Sequence, residues 1–168
     1  MPGSNDAAAK RAECAESKDA ATERAERAES NFMRGCNCCQ AVLLAFSDEL
    51  GMDEQTLMRL GSSFGAGMGR MREVCGAVTG MLMALGLRRG YTLDEGDKKA
   101  HYEKVRELAD EFRSQNGSII CRELLEGVKV TEGGAPEERT AEYYRKRPCK
   151  SYCASAAAIL QKELTKNE

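Results

Sequence analysis

The residues of this chain that could carry chemistry are its cysteines, of which there are eight among 168 residues. Thiolates bind soft metals, hold iron–sulfur clusters and exchange with disulfides. Three of them, Cys36, Cys38 and Cys39, fall within four positions, where a charged stretch gives way to an apolar one. This spacing leaves three interpretations open: a metal site, a redox pair, or one reactive cysteine with two neighbours that serve packing.

Four cysteines from four parts of the chain each fall in the predicted first turn of a helix: Cys38, Cys75, Cys121 and Cys149. Asn37 and Ser118 are suitable N-caps for two of these helices, and Pro148 suits the first position of another. Unpaired N–H groups and the helix dipole at such positions stabilise a thiolate and lower its pKa. Three arginines lie near these cysteines in sequence: Arg70, Arg72 and Arg122. We therefore expect one common site that tolerates several negative charges.

Glycines beside Cys75 indicate that another group approaches this helix closely. Gly76 and Gly80 lie inside the predicted helix, where each costs about 1 kcal/mol relative to alanine. With Ala84 they form a stripe of small residues on one helix face. A tightly packed neighbouring helix is the commoner use of such a stripe and a cofactor is the alternative, and the two are compatible.

The elements that must position the cysteines are helices, because apolar residues recur at helical spacing and no strand pattern of useful length appears. The predicted helices after the N-terminal stretch cover residues 37–50, 52–64, 74–89, 102–112, 117–127 and 148–164. The segment 65–70, GAGMGR, is interpreted as an interhelical turn, since it follows no strand and lacks the GK[ST] ending of a phosphate loop. Residues 128–147 are predicted to be largely loop. The predicted fold is all-α, a bundle of about six helices.

Residues 1–31 are predicted to form a charged helical arm in front of a domain at 32–168. Residues 6–30 contain alanine and charged side chains almost to the exclusion of large apolar ones, which favours a solvated helix. A lone helix is the favoured interpretation, but a weak stripe along it could lie against the body or against a second copy, as a homodimer would require: Cys14, Ala21, Ala25, Ala28 and Phe32.

The composition limits the partners and the compartment. The formal net charge of −2 and the pI near 5.7 do not favour a nucleic-acid partner, and the tyrosines of EYYRKR (142–147) are expected to pack on the body. The longest apolar run, 78–87, is too short to span a bilayer, and the N-terminus lacks the apolar core of a secretion signal. We therefore expect a cytoplasmic protein with no membrane partner, whose thiols are reduced.

Four blocks of the sequence resemble the C_GCAxxG_C_C family of redox-active proteins: NCCQAVLLAF, EVCGAVTGMLMALGL, GSIICRELL and CKSYCASAAAIL. The resemblance runs from about residue 31 to 164, and it implies that Cys38, Cys75, Cys121 and Cys149 are the four characteristic cysteines. Related domains occur in a multihaem cytochrome with a proposed iron–sulfur centre, and some members are selenoproteins. The resemblance therefore implies redox chemistry. It implies no haem here, because the chain has no CxxCH and His101 is its one histidine.

The other cysteines are expected to be secondary. Cys36 is a reserve metal ligand, because it could face the same metal as Cys38 from an extended turn. Cys39, if helical, points about 100° away from Cys38 around the axis, so core packing is expected. Cys153 lies one turn after Cys149 and is a second reserve ligand, with burial favoured over ligation. Cys14 lies outside the blocks of the resemblance.

The favoured function is a redox-active protein whose four characteristic cysteines bind an iron–sulfur cluster of unspecified type for electron transfer. One alternative is a dithiol oxidoreductase or thiol sensor without a cluster, in which a pair such as Cys38 and Cys75 cycles between dithiol and disulfide. Another is a structural zinc site of four cysteines. The expected partner is a redox protein or a small oxidant, and the sequence leaves open whether the protein is an enzyme.

Overall fold

The computed structural model describes residues 5–130 and 134–166, with side chains from Lys18 onward. Within these ranges the chain forms helices and no β-strand, and one isolated antiparallel bridge joins Val74 to Ile120. The helices are α1 (Asn5–Met33), α2 (Cys38–Ala45), α3 (Glu54–Gly61), α4 (Gly65–Met68), α5 (Gly76–Arg89), α6 (Lys98–Asn116), α7 (Cys121–Leu124), α8 (Ala141–Lys146) and α9 (Cys149–Thr165), and a 3₁₀ turn covers Ser62–Phe64. Six of the described helices have eight or more residues, so the predicted all-α bundle of about six helices is confirmed.

The short helix α2 lies at the centre of the bundle. Every residue of α2 except Gln40 is buried, and the helix packs against α1, α3, α5 and α9. Burial of its apolar side chains with those of the surrounding helices supplies the main favourable term in folding. The largest buried side chains around it include Phe32, Phe46, Met81, Phe112 and Leu160.

The small residues of α5 allow this helix to cross α2 at close range. A Cβ added at Gly80 would lie 2.7 Å from the carbonyl oxygen of Cys39 and 3.1 Å from the Cβ of Val42. One turn earlier, a Cβ at Gly76 would lie 2.7 Å from the carbonyl oxygen of Phe64. The predicted tight packing of a neighbouring helix on this stripe is therefore confirmed.

The helix that begins at Cys38 ends earlier than predicted, at Ala45 rather than near Leu50. The carbonyl oxygen of Ala45 accepts a hydrogen bond from Nη1 of Arg24 at 2.6 Å. In a continuing helix this carbonyl would accept the N–H of Glu49, which instead donates to the carbonyl of Phe46 at 2.9 Å. The arginine thus replaces the next helical hydrogen bond, and residues 46–50 form turns.

The expectation of a solvated arm is wrong for the second half of α1, which packs against α9 and α2. Ala21, Ala28 and Phe32 are buried, so the predicted stripe lies against the body over this stretch. Arg24 is also buried, with an ion pair to Asp48 at 2.5 Å, a second ion pair to Glu49 and its guanidinium over the Phe46 ring. Cys14, the first member of that stripe, lies outside the described side chains, and the division of the chain at residue 31 stays a prediction.

Part of the predicted loop at 128–147 is helical, because Thr140 caps the short helix α8. Its hydroxyl accepts the N–H of Tyr143 at 3.1 Å. The expectation that the tyrosines pack on the body is confirmed: the ring of Tyr144 meets that of Phe32 edge-on, with centroids 5.9 Å apart.

Among the described residues, no helix combines the length and the apolar character that crossing a membrane requires.

Candidate cysteine site

One cavity brings together the beginnings of four helices and the four cysteines predicted for a common site. The cavity has a volume of about 400 Å³, and its lining includes Cys38, Cys75, Cys121 and Cys149. All four thiols are buried from the outer surface. Cys38, Cys121 and Cys149 are the first residues of α2, α7 and α9, and Cys75 is the N-cap of α5. The predicted placement of these cysteines at helix beginnings is therefore confirmed. The expectation that Ser118 caps the helix of Cys121 is wrong: Ile120 is the N-cap of α7, and the Ser118 hydroxyl accepts the N–H of Ile120 at 3.0 Å.

Local capping fixes the position of Cys38. The side chain of Asn37 accepts the N–H of Gln40, and the Gln40 side chain accepts the N–H of Asn37, which makes a capping box. The side-chain nitrogen of Asn37, Nδ2, also donates to the carbonyl of Gly61 at 3.1 Å, at the end of α3. The start of α2 is thus tied to a second helix as well as capped.

Cys75 and Cys121 are held side by side by a pair of backbone hydrogen bonds. The N–H of Cys75 donates to the carbonyl of Ile119 at 2.8 Å, and the N–H of Cys121 donates to the carbonyl of Glu73 at 2.7 Å. These bonds flank the isolated bridge between the two segments. Two sequence-distant cysteines therefore share one rigid backbone unit.

Cys149 completes the set through contact with Cys38. Each of these two thiols shifts the pKa of the other, and Cys153, one turn further along α9, also shifts the pKa of Cys38. The Cys153 thiol lies 3.7 Å from the carbonyl oxygen of Cys38 and is fully buried. Cys153 thus lies behind the cavity wall rather than in its lining.

The two cysteines beside Cys38 face away from the cavity. The Cys36 sulfur lies 3.9 Å from the sulfur of Met58, and the Cys39 sulfur lies 3.6 Å from that of Met83. Both side chains are buried, and neither contributes to the cavity lining. The structure therefore places them where they fill the core.

Cationic side chains surround the sulfur cavity. Four arginines and one glutamate line it: Arg70, Arg72, Arg139, Arg147 and Glu137. Nη1 of Arg72 lies 3.9 Å from the Cys121 sulfur, and this arginine is 3% exposed. Arg147 is also buried and pairs with Glu137 at 2.6 Å. The lining therefore has a positive balance that suits thiolates or another anionic group.

The expectation of lowered thiol pKa values is wrong for the protein without a bound group. The hydrogen bond from Cys149 favours the Cys38 thiolate, but the contact with Cys153 and burial outweigh it and hold the pKa of Cys38 well above its usual value. The hydrogen bond to Cys38, together with burial, raises the pKa of Cys149. Burial raises the pKa of Cys75 to about 12, and it raises the pKa of Cys121 against the opposing effect of Arg72. Desolvation and close packing of thiols dominate over helix beginnings here.

A left-handed turn forms one wall of the cavity. Five consecutive residues have positive φ: Ala66, Gly67, Met68, Gly69 and Arg70. For residues other than glycine this conformation costs about 1–2 kcal/mol each. A Cβ on Gly67 would lie 2.7 Å from the Cβ of Cys121, so this glycine permits the wall to reach the cysteine. The short helix α4 is thus interrupted by non-helical φ and ψ angles at Ala66 and Gly67, so the segment acts as an interhelical turn as predicted, and it contributes directly to the site.

Several lining residues were not identified from the sequence. Arg139 stacks over the rings of Phe32 and Tyr143, with its guanidinium carbon 4.6 and 4.9 Å from the ring centroids. Its Nη2 donates to the carbonyl of Cys36 at 3.2 Å. No local pattern indicated this residue, because its contacts come from α1 and α8. Arg147 directly precedes Pro148 and Cys149, so its position next to a predicted site cysteine could have identified it from the sequence.

The donor set fits a soft metal centre by chemistry, although the side chains are not arranged as a closed metal site. Four thiols are the donor set of both zinc and iron–sulfur sites. In residues 18–130 and 134–166, no group of three or more histidine, cysteine or acidic side chains is already close enough to hold a metal ion. The thiols therefore share a cavity, and a centre that engages all four would draw them closer.

Comparison with known proteins gives one match. Residues 36–163 match the family described as "Putative redox-active protein (C_GCAxxG_C_C)". Searches of the curated proteins and of the solved structures found no match. The family match covers more than half of the chain and includes all four cysteines of the cavity. The chain therefore belongs to the C_GCAxxG_C_C family of redox-active proteins.

Proposed function

We propose that this protein transfers electrons through an iron–sulfur cluster bound by Cys38, Cys75, Cys121 and Cys149. The observation that supports the proposal is that these cysteines, from four separate helices, line one arginine-rich cavity in a member of a redox-active family. Zinc would use the same donors, but the family's redox character favours iron. The cluster would supply the electron-transfer chemistry, and the chain supplies its binding and surroundings.

The charges of the cavity fit this assignment. Cysteine ligands bind as thiolates, so binding releases their protons and concentrates negative charge. Arg72 and Arg147 are buried in the same lining and offset that charge without requiring solvent. The raised pKa values of the thiols mean that the protein without a bound group keeps them neutral, which avoids placing unpaired charges in the core.

The proposal extends to the partner and the compartment. A redox protein or a small oxidant would exchange electrons at the cavity, and the cytoplasm would keep unligated thiols reduced. The homodimer stays a prediction.

Metal analysis of protein purified without oxygen tests the proposal. We expect visible sulfur-to-iron absorption with stoichiometric iron and acid-labile sulfide. Serine at position 38, 75, 121 or 149 should remove most of the iron, because a hydroxyl is a poor ligand for it. Cys36→Ala is the matched control, since this buried cysteine lies two residues from Cys38 but outside the cavity lining, and Cys14→Ser lies outside the family match. Equal iron loss in the controls, or zinc in place of iron, would contradict the proposal.

The mutual pKa effect of the Cys38 and Cys149 thiols, which line the same cavity, favours a second candidate, dithiol chemistry. In this case the two thiols transfer two electrons to a disulfide or peroxide, release two protons and form one S–S bond. The protein would be free of iron and colourless. Thiol counts before and after oxidation would then fall by two per chain.

A further inference from the structure

The backbone between the 3₁₀ turn and α5 contains more residues in the unfavourable left-handed conformation than a connection between two helices requires. Beyond the five consecutive left-handed residues, Arg72 also has φ of +60°. Such conformations persist only where surrounding contacts enforce them, and they cluster at functional sites. The question is what this segment places in the cavity.

The segment delivers the guanidinium of Arg72 to the Cys121 sulfur. Nη1 lies 3.9 Å from that sulfur, and the arginine is 3% exposed. The backbone on both sides is fixed, because the N–H of Glu73 donates to the carbonyl of Gly67 at 3.2 Å and the N–H of Arg122 donates to that of Arg72 at 3.1 Å. Arg72 is therefore a held cation inside the site.

A fixed positive charge beside a sulfur ligand increases the electron affinity of the centre that the sulfur binds. When a centre gains an electron it becomes more negative, and a buried positive charge nearby stabilises the reduced form more than the oxidised one. Hydrogen bonds to the sulfurs are among the factors that set cluster potentials. Among the thiols of the cavity, the sulfur of Cys121 is the one for which an arginine hydrogen bond is observed in the described residues.

We infer that Arg72 is a positioning residue that raises the reduction potential of the sulfur centre through its contact with Cys121. This inference rests on the proposed function. It assigns the strained segment 66–72 the role of holding that charge in place.

The test is the midpoint potential of the iron-loaded protein and of three variants. In Arg72→Gln we expect the ratio of reduced to oxidised centre at a fixed potential to fall roughly tenfold, about 59 mV for a one-electron couple. Arg122→Gln is the matched control, because it removes the same charge one residue from Cys121 at an exposed ion pair, 2.8 Å from Glu73. We expect no shift there, since solvent screens that charge. Arg72→Lys keeps the charge without the planar donor, so it should shift less than Arg72→Gln.

The outcomes separate this inference from the proposed function. Absence of iron and sulfide in the unmodified protein would overturn both. A loaded cluster whose potential is the same in Arg72→Gln and the unmodified protein, or moves equally in Arg122→Gln, would overturn the inference alone. Should Arg72→Gln fail to fold or to load, Arg72→Met, which also removes the charge, decides: a lowered potential supports the role of Arg72, and an unchanged one overturns it.

Discussion

The thiol groups of Cys38 and Cys149 are close enough to shift each other's pKa, although they begin α2 and α9, which lie far apart in the chain. Cys75, which the sequence analysis named as one possible partner of Cys38, is fixed beside Cys121 by backbone hydrogen bonds. The cavity therefore contains two kinds of cysteine pair, one joined through side chains and one through the backbone.

The first prediction concerns oxidation of the iron-free protein. Treatment with a mild thiol oxidant should form the Cys38–Cys149 disulfide first, because the strongest thiol interaction of each of these residues is with the other. Peptide mapping without reductant identifies the bond. In Cys149→Ser, the bond should move to Cys153, which also contacts Cys38. Preferential formation of a Cys38–Cys75 bond in the unmodified protein would contradict this reading of the cavity.

The second prediction uses two glycines of α5. Gly80→Ala should destabilise the fold by about 1–3 kcal/mol, because its Cβ would meet the backbone of α2. Gly86→Ala in the same helix meets nothing within 4 Å, and it should stabilise by up to about 1 kcal/mol through helix propensity. Urea unfolding followed by circular dichroism measures both, and equal effects would show that the close crossing is not rigid.

The third prediction concerns the left-handed wall. Gly67→Ala should be more destabilising than Gly127→Ala, although both glycines have positive φ, +69° and +77°. The backbone penalty of about 1–2 kcal/mol is common to both. At Gly67 the new Cβ would also collide with Cys121, whereas nothing lies within 4 Å at Gly127. If the cavity binds iron as proposed, Gly67→Ala should also lose this iron, and retention of the metal at the level of Gly127→Ala would contradict the prediction.

The fourth prediction concerns acid. Partial burial raises the pKa of Asp48, but hydrogen bonds from Arg24 and Arg27 outweigh it and lower the pKa from 3.8 to about 2. Because the folded-state pKa is the lower one, this carboxylate stabilises the fold above pH 4, and the contribution is lost as the pH falls from about 4 to about 2. Asp48→Asn should flatten the pH dependence of stability in that window.

The control for this experiment is the same change at Asp94, an exposed residue after α5. Circular dichroism is the suitable probe, because the chain contains no tryptophan. An equal flattening in Asp94→Asn would show that overall charge, rather than the contact with Arg24, governs the acid response.

The sequence predicted those parts of the site that depend on local chemistry. Asn37 and Gln40 cap α2 through neighbours in the chain, so the location of Cys38 at a helix beginning followed from the residues themselves. The same holds for the end of α5, which lies at Arg89 as the predicted range 74–89 had it. The small residues of α5 also indicated a close crossing, since few other arrangements use such a stripe.

The parts that depend on tertiary structure could not be predicted in this way. Arg24 ends α2 early from a different helix, and Arg139 reaches Phe32 from the segment before α8. The sign of the thiol pKa shifts was missed for the same reason: helix beginnings are visible in sequence, whereas the depth of burial is not. Met68 and Arg70 have positive φ although residues with a side chain prefer negative φ, so this left-handed conformation is imposed by the surrounding fold.

The four cavity cysteines are distributed over α2, the N-cap of α5, α7 and α9, and this order has a consequence for biosynthesis. A ribosome delivers Cys38, Cys75 and Cys121 well before it delivers Cys149. A nascent chain that has emerged only through α7 lacks the fourth thiol, and it also lacks α9, the packing partner of α1, α2, α5 and α6. Completion of the cavity therefore coincides with docking of the last helix, and a centre that uses all four sulfurs has to be inserted after α9 has been made.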